Sequence, residues 1–527
     1  MLLICLLSLL CSVESALLYD SYTGLQITRE DVKRHDKSNT TFWCVNKIEP
    51  CDPAEGRRVD GSCNNLKHPS RGATHTPFRR LLPPVFDKNF TPKKSSSGND
   101  LPLVRYVRTR ILSVGKVPSQ VFTMLAAHYF VFMLADTVSL HDTVNYVIWK
   151  PYCCTEKGET DYMCIPIKIP VDDPVHRFSG HRCLNLTRPE SFQSVGCVKN
   201  DTTPDRIISS TPLLDLSVIY GNLLQPLLQK GRLFKDGLLK YEVENKRVWP
   251  PSYKIQANVC YLNQRPRENR CHEMPEDGAN TLPGINLVSI WFWRYHNFIA
   301  SQLAKVNPCW DDNKLFETAR DINIAVSQQI YYYELLPVFF GYDNMVKDGV
   351  IDPMGGFRDE YNENFLPQLS LEYPYVLRWM HNIQDGVLKL YDKDGYYLKQ
   401  FPIVNLTLRT GYFAVDDNID YATQGSFRQG SAKLDYIADP DRIEILRELY
   451  EKVDDIDLLA GVWVESPIRG GFVPPTLYCL EIEQLKHNIY SDRHWYERPN
   501  RPNAFTPRKY LTSRYSELNK FSEALQH

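Results

Sequence analysis

The chain has 527 residues, of which 43% are hydrophobic and 12% are aromatic. This is enough apolar material for a large buried core, so disorder is excluded as the dominant state. The 61 basic and 63 acidic side chains give a formal net charge of -2, so no overall field favours nucleic acid or an anionic membrane. A partner must therefore be recognised by shape or by local chemistry.

The N-terminus has the pattern of a secretory signal peptide over residues 1–15. Its first thirteen residues are almost wholly apolar, and the small residues Ser15 and Ala16 follow, although no basic residue precedes the run. A membrane-spanning helix would need ~20 apolar residues. We therefore predict a secreted, extracellular protein without a transmembrane segment. Five N-x-S/T glycosylation sequons agree with this: Asn39, Asn89, Asn185, Asn200 and Asn405.

Cysteine usage indicates disulfide bonds. Twelve of the 14 cysteines remain once Cys5 and Cys11 leave with the signal peptide, and an oxidising compartment favours their pairing. Three cysteines within twelve residues could suggest a zinc cluster, namely Cys153, Cys154 and Cys164. No histidine stands nearby with ligand spacing, so zinc is disfavoured.

The predicted elements are mainly helical. Residues 16–118 are rich in Pro, Gly, Asn, Lys and Arg, which predicts loops lying over the core of one domain. Residues 119–527 are expected to form that helical core, with a buried helix at 121–135. Apolar spacing of three and four residues predicts further helices at 286–306, 314–340, 371–383, 441–451 and 482–490. The clearest strand is 387–391, so we predict a mainly α fold with long irregular loops and little β structure.

Six motifs carry a family resemblance. They are D-G-S-C-N-N at 60–65, T-P-F-R-R-L-L-P-P at 76–84, L-D-L-S-V-I-Y-G at 214–221, R-Y-H-N at 294–297, D-D-I-D-L at 454–458 and D-R-H-W-Y-E at 492–497. Together they resemble the animal haem peroxidases, over about residues 40 to 500. The resemblance implies that family's helical fold and a haem iron with a distal acid-base group, a cation, an axial ligand and a partner that holds the ligand.

On the distal side, the resemblance finds neither catalytic residue. The family helix Q-W-G-Q-F-x-D-H-D matches residues 128–136, which places Ala135 at the distal His and Leu134 at a carboxylate that forms an ester to the haem. His128 is about two helical turns away, and we interpret it as a buried or capping residue. The distal Arg position falls on Gly278, and the second ester position falls on Thr281.

The same alignment implies disulfide pairs. Cys260 and Cys271 match the short pair that precedes the distal Arg, and we pair Cys154 with Cys164. Arg270 and Glu273 also form an R-x-x-E pattern, but its spacing to Arg294 is eight residues too long. We therefore treat that pattern as coincidence.

On the proximal side, L-R-W-M-H at 377–381 matches the family pattern F-R-x-G-H. His381 is therefore the candidate iron ligand, and Arg378 is the candidate partner of a haem propionate. A single histidine among apolar residues is more often structural. The family's Asn-bearing segment, which orients the ligand, is missing before Asp441, and the usual disulfide partner of Cys479 is missing with it.

The resemblance also implies a calcium site built from oxygen ligands. Asp136 matches the aspartate after the distal His, and the family loop T-x-F-x-D-x-S supplies Thr211, Leu213 through its carbonyl, Asp215 and Ser217. Without the family, this loop would be an ordinary polar turn. Calcium is thus a predicted cofactor, and haem is a second one only through His381.

Two functions remain open. The first is a secreted pseudoperoxidase that binds or adheres to an extracellular protein or matrix partner, although no R-G-D or K-G-D tripeptide is present. The second is an active or weakly active haem peroxidase that reduces hydrogen peroxide with His381 on the iron. A skipped exon would also explain the missing segment, but it would not restore His at position 135 or Arg at position 278.

Overall fold

The computed structural model describes residues 48–87, 91–112, 117–138, 152–194, 203–253, 271–407, 418–433 and 440–505. The predicted signal peptide, three of the sequons (Asn39, Asn89 and Asn200) and Cys260 lie outside these residues.

Helices form most of the regular structure. The helices are α1 (Val104–Ile111), α2 (Met124–Thr137), α3 (Glu156–Glu159), α4 (Ser217–Tyr220), α5 (Leu224–Pro226), α6 (Pro283–Val306), α7 (Asp312–Gln329), α8 (Leu336–Phe340), α9 (Tyr342–Lys347), α10 (Glu372–Leu377), α11 (Asn418–Arg428), α12 (Pro440–Leu449), α13 (Leu458–Val464) and α14 (Pro475–Ser491). Short 3₁₀ turns occur at Tyr152–Cys154, Asp277–Asn280, Arg378–Ile383, Ile403–Asn405 and Val453–Asp455. Two π-helical turns occur at Leu227–Gly231 and Ile330–Leu335.

The strands form small antiparallel pairs at the edges of the helical core. They are β1 (Val117–Thr123), β2 (Ile167–Lys168), β3 (Cys183–Leu184), β4 (Glu242–Glu244), β5 (Arg247–Trp249), β6 (Val387–Tyr391), β7 (Tyr397–Pro402) and β8 (Gly430–Lys433). The pairs are β1 with β8, β2 with β3, β4 with β5 and β6 with β7. The mainly α architecture with little β structure is therefore confirmed.

Helix α2 lies at the centre of the core. It is apolar around its whole circumference, and every residue except Leu125 and Ala135 is buried. Against α6, the Phe132 ring stacks on Phe292 with centroids 5.5 Å apart. Against α7, the Tyr129 hydroxyl donates a hydrogen bond to the Ser327 carbonyl at 3.1 Å. These contacts fix both the position and the rotation of α2.

Most predicted elements exist, with corrected ends. The strand at 387–391 is confirmed, whereas residues 121–123 of the predicted helix 121–135 belong to β1, because they pair with β8. The predicted helix 314–340 contains the π-helical turn at Ile330–Leu335. The predicted helix 482–490 begins seven residues earlier, at Pro475, whose fixed φ suits a first helical position.

One predicted disulfide pair is wrong. Cys164 bonds to Cys153 rather than to Cys154, and Cys154 bonds to Cys183 on β3. The 3₁₀ turn at Tyr152–Cys154 points consecutive side chains in different directions, so the two adjacent cysteines reach different partners. A third bond joins Cys51 to Cys63.

The remaining described cysteines divide into bonded and free. Cys271 is disulfide-bonded, as predicted, but its partner lies outside the described residues. Cys309 and Cys479 carry free, exposed thiols. The free thiol of Cys479 agrees with the loss of its usual partner.

In the part of the chain that the structure describes, every helix is too short or too polar to cross a lipid bilayer.

Helix α14 carries a buried carboxyl group at the centre of the protein. Glu481 is fully buried, and neither of its carboxyl oxygens has a hydrogen-bond partner among the described residues. Burial raises the pKa of Glu481 well above its usual value. The folded protein therefore holds Glu481 as a neutral acid, while the unfolded chain ionises it at neutral pH.

We predict that Glu481→Gln stabilises the protein increasingly as pH rises. A carboxyl whose folded pKa is raised costs stability above its unfolded pKa, and each pH unit costs about 1.4 kcal/mol until the folded pKa is reached. The variant should be more stable than the wild type at pH 7 and about as stable as the wild type at pH 4.5, measured by urea unfolding. Glu483→Gln is the control, because Glu483 is on the same helix but pairs with Arg79 at the surface. Equal pH dependence in the wild type and Glu481→Gln would contradict the prediction.

Candidate functional site

The C-terminal turn of α2 holds the two positions that we predicted for distal chemistry. Leu134 is buried, and Ala135 is partly exposed and packs against the core. A methyl group offers no site for a proton, and an isobutyl group cannot form an ester. Neither side chain can therefore perform the reaction of the family residue at its position.

His128 is two turns earlier on α2 and is fully buried. Neither ring nitrogen has a hydrogen-bond partner among the described residues, and burial lowers the pKa of His128 to about 4. The ring packs so closely on α6 that a Cβ on Gly284 would lie 2.4 Å from its Nδ1 atom. The structure thus makes His128 a neutral core residue, in agreement with the sequence interpretation.

The distal Arg position is in the 3₁₀ turn before α6. Gly278 is partly exposed, and a Cβ placed on it would meet no atom within 4 Å. The Thr281 hydroxyl donates a hydrogen bond to the Gly278 carbonyl at 2.7 Å, so it closes the turn. This turn has room for a cationic side chain but does not carry one.

Arg294 does not supply the missing cation. Its Nε donates to the Val248 carbonyl at 2.7 Å, and its guanidinium lies 5.0 Å from the centre of the Trp249 ring. Burial lowers the pKa of Arg294 to about 10. These contacts give Arg294 a structural role on α6. Arg270 lies outside the described residues, so the interpretation of the R-x-x-E pattern stays a prediction.

The proximal candidates lie in the 3₁₀ turn after α10. Both His381 and Arg378 are exposed, and the described residues provide no hydrogen bond to the His381 ring. Partial burial of the ring, and then the Arg378 guanidinium, lower the pKa of His381. A neutral imidazole is the form that binds iron, but a ligating histidine is normally oriented by a partner on its other nitrogen.

Gln429 stands where the missing Asn-bearing segment would begin, and its amide has a different function. It donates to the Asp385 carboxylate and to the Val387 carbonyl, each at 2.8 Å. Its amide oxygen accepts from the Lys389 amide at 3.0 Å, and its backbone carbonyl accepts from Met124 at 2.8 Å. Gln429 therefore joins β6 to the start of α2, a role that the sequence did not indicate.

The predicted calcium ligands are brought together and buried. Asp136, at the end of α2, accepts hydrogen bonds from the backbone amides of Leu216 at 3.2 Å and Val218 at 3.1 Å. The Ser217 hydroxyl donates to the Asp136 carbonyl at 2.6 Å. The Thr211 hydroxyl donates to the Asp215 carboxylate at 2.8 Å. The loop 211–217, with Leu213 also buried in it, thus closes over the end of α2.

The electrostatics of these ligands fit a cation. Burial, and then the neighbouring Asp215, raise the pKa of Asp136 to about 8. Burial raises the pKa of Asp215 to about 6, although the Arg57 and Arg320 guanidinium groups oppose this. One carboxylate oxygen of Asp215, Oδ2, has no hydrogen-bond partner in the part of the chain that the structure describes. A hard cation would satisfy that oxygen and offset both buried charges.

Two of the family motifs meet in a buried polar cluster beside this site. Arg57 and Asp492 form an ion pair at 2.7 Å with both side chains buried. Asn64 donates to the same carboxylate at 2.8 Å and accepts from the Arg493 amide at 3.0 Å. The motifs at 60–65 and 492–497 are therefore structural, which their sequences alone did not reveal.

Two sequons lie in the described part of the chain. Asn405 is exposed in the 3₁₀ turn after β7. Asn185 is partly buried after β3, and its side-chain oxygen accepts from the Cys153 amide at 2.8 Å. Glycosylation of both stays a prediction.

Comparison with known proteins gives consistent matches. The model of the animal haem peroxidase family matches residues 56–439 and 428–521. A peroxidase from Drosophila melanogaster is 27% identical over an alignment of 548 positions, and the alignment covers 91% of this chain and 78% of the relative. A chorion peroxidase from Aedes aegypti is 26% identical, covering 87% of this chain and 65% of the relative. A Drosophila melanogaster peroxidasin is 25% identical, and the match spans 34% of its length.

Solved structures share the fold. Peroxidase A from Dictyostelium discoideum superposes with a TM-score of 0.69 at 21% identity, covering 90% of this chain and 96% of that chain. A fatty acid α-dioxygenase from Arabidopsis thaliana superposes with a TM-score of 0.66 at 16% identity, covering 94% of this chain and 84% of that chain. The match of the family model to most of the sequence and the shared helical fold lead to one conclusion: this chain belongs to the animal haem peroxidase family.

Proposed function

We propose that this protein is a secreted pseudoperoxidase: it keeps the calcium-braced family fold, lacks ordinary peroxidase turnover, and acts by binding an extracellular partner. The observation that carries the proposal is the pair Ala135 and Gly278. Peroxide cleavage needs a group that accepts and returns a proton, and a cation that stabilises the developing charge. Both are absent at the positions the family provides.

Among the described residues, α2 offers one histidine as a substitute for the distal base, and its surroundings do not suit that role. His128 is the histidine of α2, but it is packed against Gly284 and is neutral because burial lowers its pKa to about 4. Moving it to position 135 would require α2 to slide by two turns, or ~10 Å, through its contacts with α6 and α7. The buried circumference of α2 opposes such a slide.

The residues present fit a catalytically bound haem poorly. Family membership implies a haem cofactor, and His381 is the residue that offers an iron ligand. Yet its ring has no orienting partner among the described residues, and both ester positions carry side chains that form no ester, Leu134 and Thr281. These residues therefore do not support a catalytic step at haem in this protein.

Secretion and binding rest on separate support. Three disulfide bonds among the described residues are typical of an oxidising compartment, and they agree with the signal-peptide pattern. A fold kept without its catalytic residues indicates selection for surface or stability, because function resides in sites rather than in folds.

The alternative function is a weak haem peroxidase with His381 on the iron. The retained imidazole and the peroxidase names of the relatives favour it. It requires a Soret band in the purified protein that His381→Ala removes.

We predict that the haem-loaded protein shows no peroxide-dependent guaiacol oxidation above background. Taken singly, a missing acid-base group typically costs about 10²–10⁴-fold and a missing charge-stabilising group about 10²–10³-fold, and either loss alone is large. The control is an active family relative assayed in parallel. Turnover comparable to that relative would sink the pseudoperoxidase proposal.

We also predict that Ala135→His alone stays near background, because both missing groups act on the same step and are not additive. Gly278→Arg is sterically feasible, since no atom lies within 4 Å of the new Cβ. The double variant should gain activity only if the Soret band shows that His381 holds haem. Strong recovery by Ala135→His alone would mean that another cation serves the site.

We predict that calcium stabilises the fold through Asp136 and Asp215. Chelation should lower the melting temperature of the wild type, corresponding to a loss of about 2–4 kcal/mol for a cation bound well above its Kd. Asp215→Ala should lower the melting temperature in calcium and remove the response to chelator. Asp172→Ala, which alters an exposed aspartate, is the control. A wild-type melting temperature that ignores both calcium and chelator would exclude the site.

A further inference from the structure

The hairpin loop between β2 and β3, residues 169–182, holds three apolar side chains in solvent. The exposed fractions are 75% for Val171, 65% for Val175 and 83% for Phe178. Single exposed apolar residues are ordinary on protein surfaces. Three of them within eight residues form a cluster, and exposed apolar clusters mark contact with a protein or a membrane.

The loop is ordered by a buried aspartate. One carboxylate oxygen of Asp173 accepts from the backbone amides of Val175 and His176, each at 2.9 Å. The Arg105 guanidinium on α1 donates two hydrogen bonds to the same carboxylate, at 2.9 Å and 2.8 Å. The exposed side chains therefore project from a backbone that is already fixed.

The neck of the loop is closed as well. Lys168 pairs with Cys183 in the β2–β3 ladder, and the Ile169 amide donates to the Arg182 carbonyl at 3.0 Å. The disulfide bond between Cys154 and Cys183 ties this neck to the 3₁₀ turn. A loop held in this way loses little conformational entropy when it binds, so its apolar side chains can contribute to affinity.

Positive charge accompanies the apolar tip. Lys168, Arg177 and Arg182 are exposed, whereas Asp172 is the one acidic residue of the loop without an ion pair, since Asp173 is neutralised by Arg105. The Arg177 guanidinium lies 4.6 Å from the centre of the Phe178 ring. This local surplus of positive charge stands on a protein whose formal net charge is -2.

Exposed residues of α1 widen the surface. Leu103 and Val104 directly precede Arg105, whose side chain reaches Asp173, and both are exposed. Apolar residues therefore flank the anchor of the loop on a second element.

We propose that residues 169–182 form a membrane-contact loop, which inserts Val175 and Phe178 into the interface of an anionic phospholipid bilayer while Arg177 and Arg182 contact lipid phosphates. A loop with three exposed apolar side chains supplies only part of the roughly 800 Å² per partner that a standard protein interface buries. It suits an interface where apolar groups sink ~5–10 Å and cations meet phosphate. The proposal does not depend on whether the protein turns over peroxide.

The test is cosedimentation of the full-length secreted protein with vesicles of phosphatidylcholine that contain about one third phosphatidylserine. The wild type should bind these vesicles more tightly than vesicles of phosphatidylcholine alone. The double change Val175→Ser and Phe178→Ser should weaken binding by roughly tenfold or more. The change Arg177→Gln with Arg182→Gln should weaken it too and reduce its salt dependence. Met354→Ser is the matched control, since Met354 is 88% exposed on a turn outside the loop.

The outcomes separate cleanly. Loss of binding in both loop variants, with unchanged melting temperatures and full binding by Met354→Ser, supports the membrane contact. Failure of the wild type to bind either vesicle overturns it and leaves the tip as a contact for a protein. Equal loss in Met354→Ser would also overturn it, because binding would then reflect general surface hydrophobicity.

Discussion

Burial of α2 on all sides is the constraint on which the rest of the structure depends. Its aromatic side chains interlock with α6 and α7, its first residue is tied to Gln429, and its last turn carries Asp136 under the loop 211–217. A helix with no solvent face cannot rotate or slide without disturbing every neighbour. The position and rotation of α2 are therefore fixed. The direction of each of its side chains is fixed as well, including those of its last turn.

The motif residues that identify the family hold the fold together rather than act on a substrate. Residues of the motifs that identify the family mostly make structural contacts. Glu497 is an example, since it accepts from Trp495 at 3.0 Å and pairs with Arg358 at 2.7 Å. His296, in the motif at 294–297, bonds through its two ring nitrogens to Tyr220 and to the Gly237 carbonyl. Such contacts keep the fold recognisable, whereas our proposal is that positions 135 and 278 have lost the groups that act on peroxide.

The sequence predicted elements well where one local signal decided the outcome. Alternation within 387–391 gave a strand with the right bounds, and apolar spacing located α6 and α7. The sequence-based prediction failed where contacts with residues distant in the chain determine the secondary structure. β1 depends on pairing with β8, more than 300 residues later, whereas the apolar run at 121–135 favours a helix throughout. The predicted pairing of Cys154 with Cys164 failed for another reason. The direction of each cysteine side chain is set by a turn, and the spacing of cysteines in the sequence does not show that turn.

The ion pair between Arg57 and Asp492 joins the two ends of the described chain. Separating Arg57 or Asp492 from the core would leave the other as a buried charge without its partner, which lowers the stability of the fold by about 3–5 kcal/mol. Within the residues that the structure describes, the N-terminal and C-terminal parts are thus linked directly. Removing either partner of the ion pair is expected to destabilise both parts at once, rather than the altered part alone.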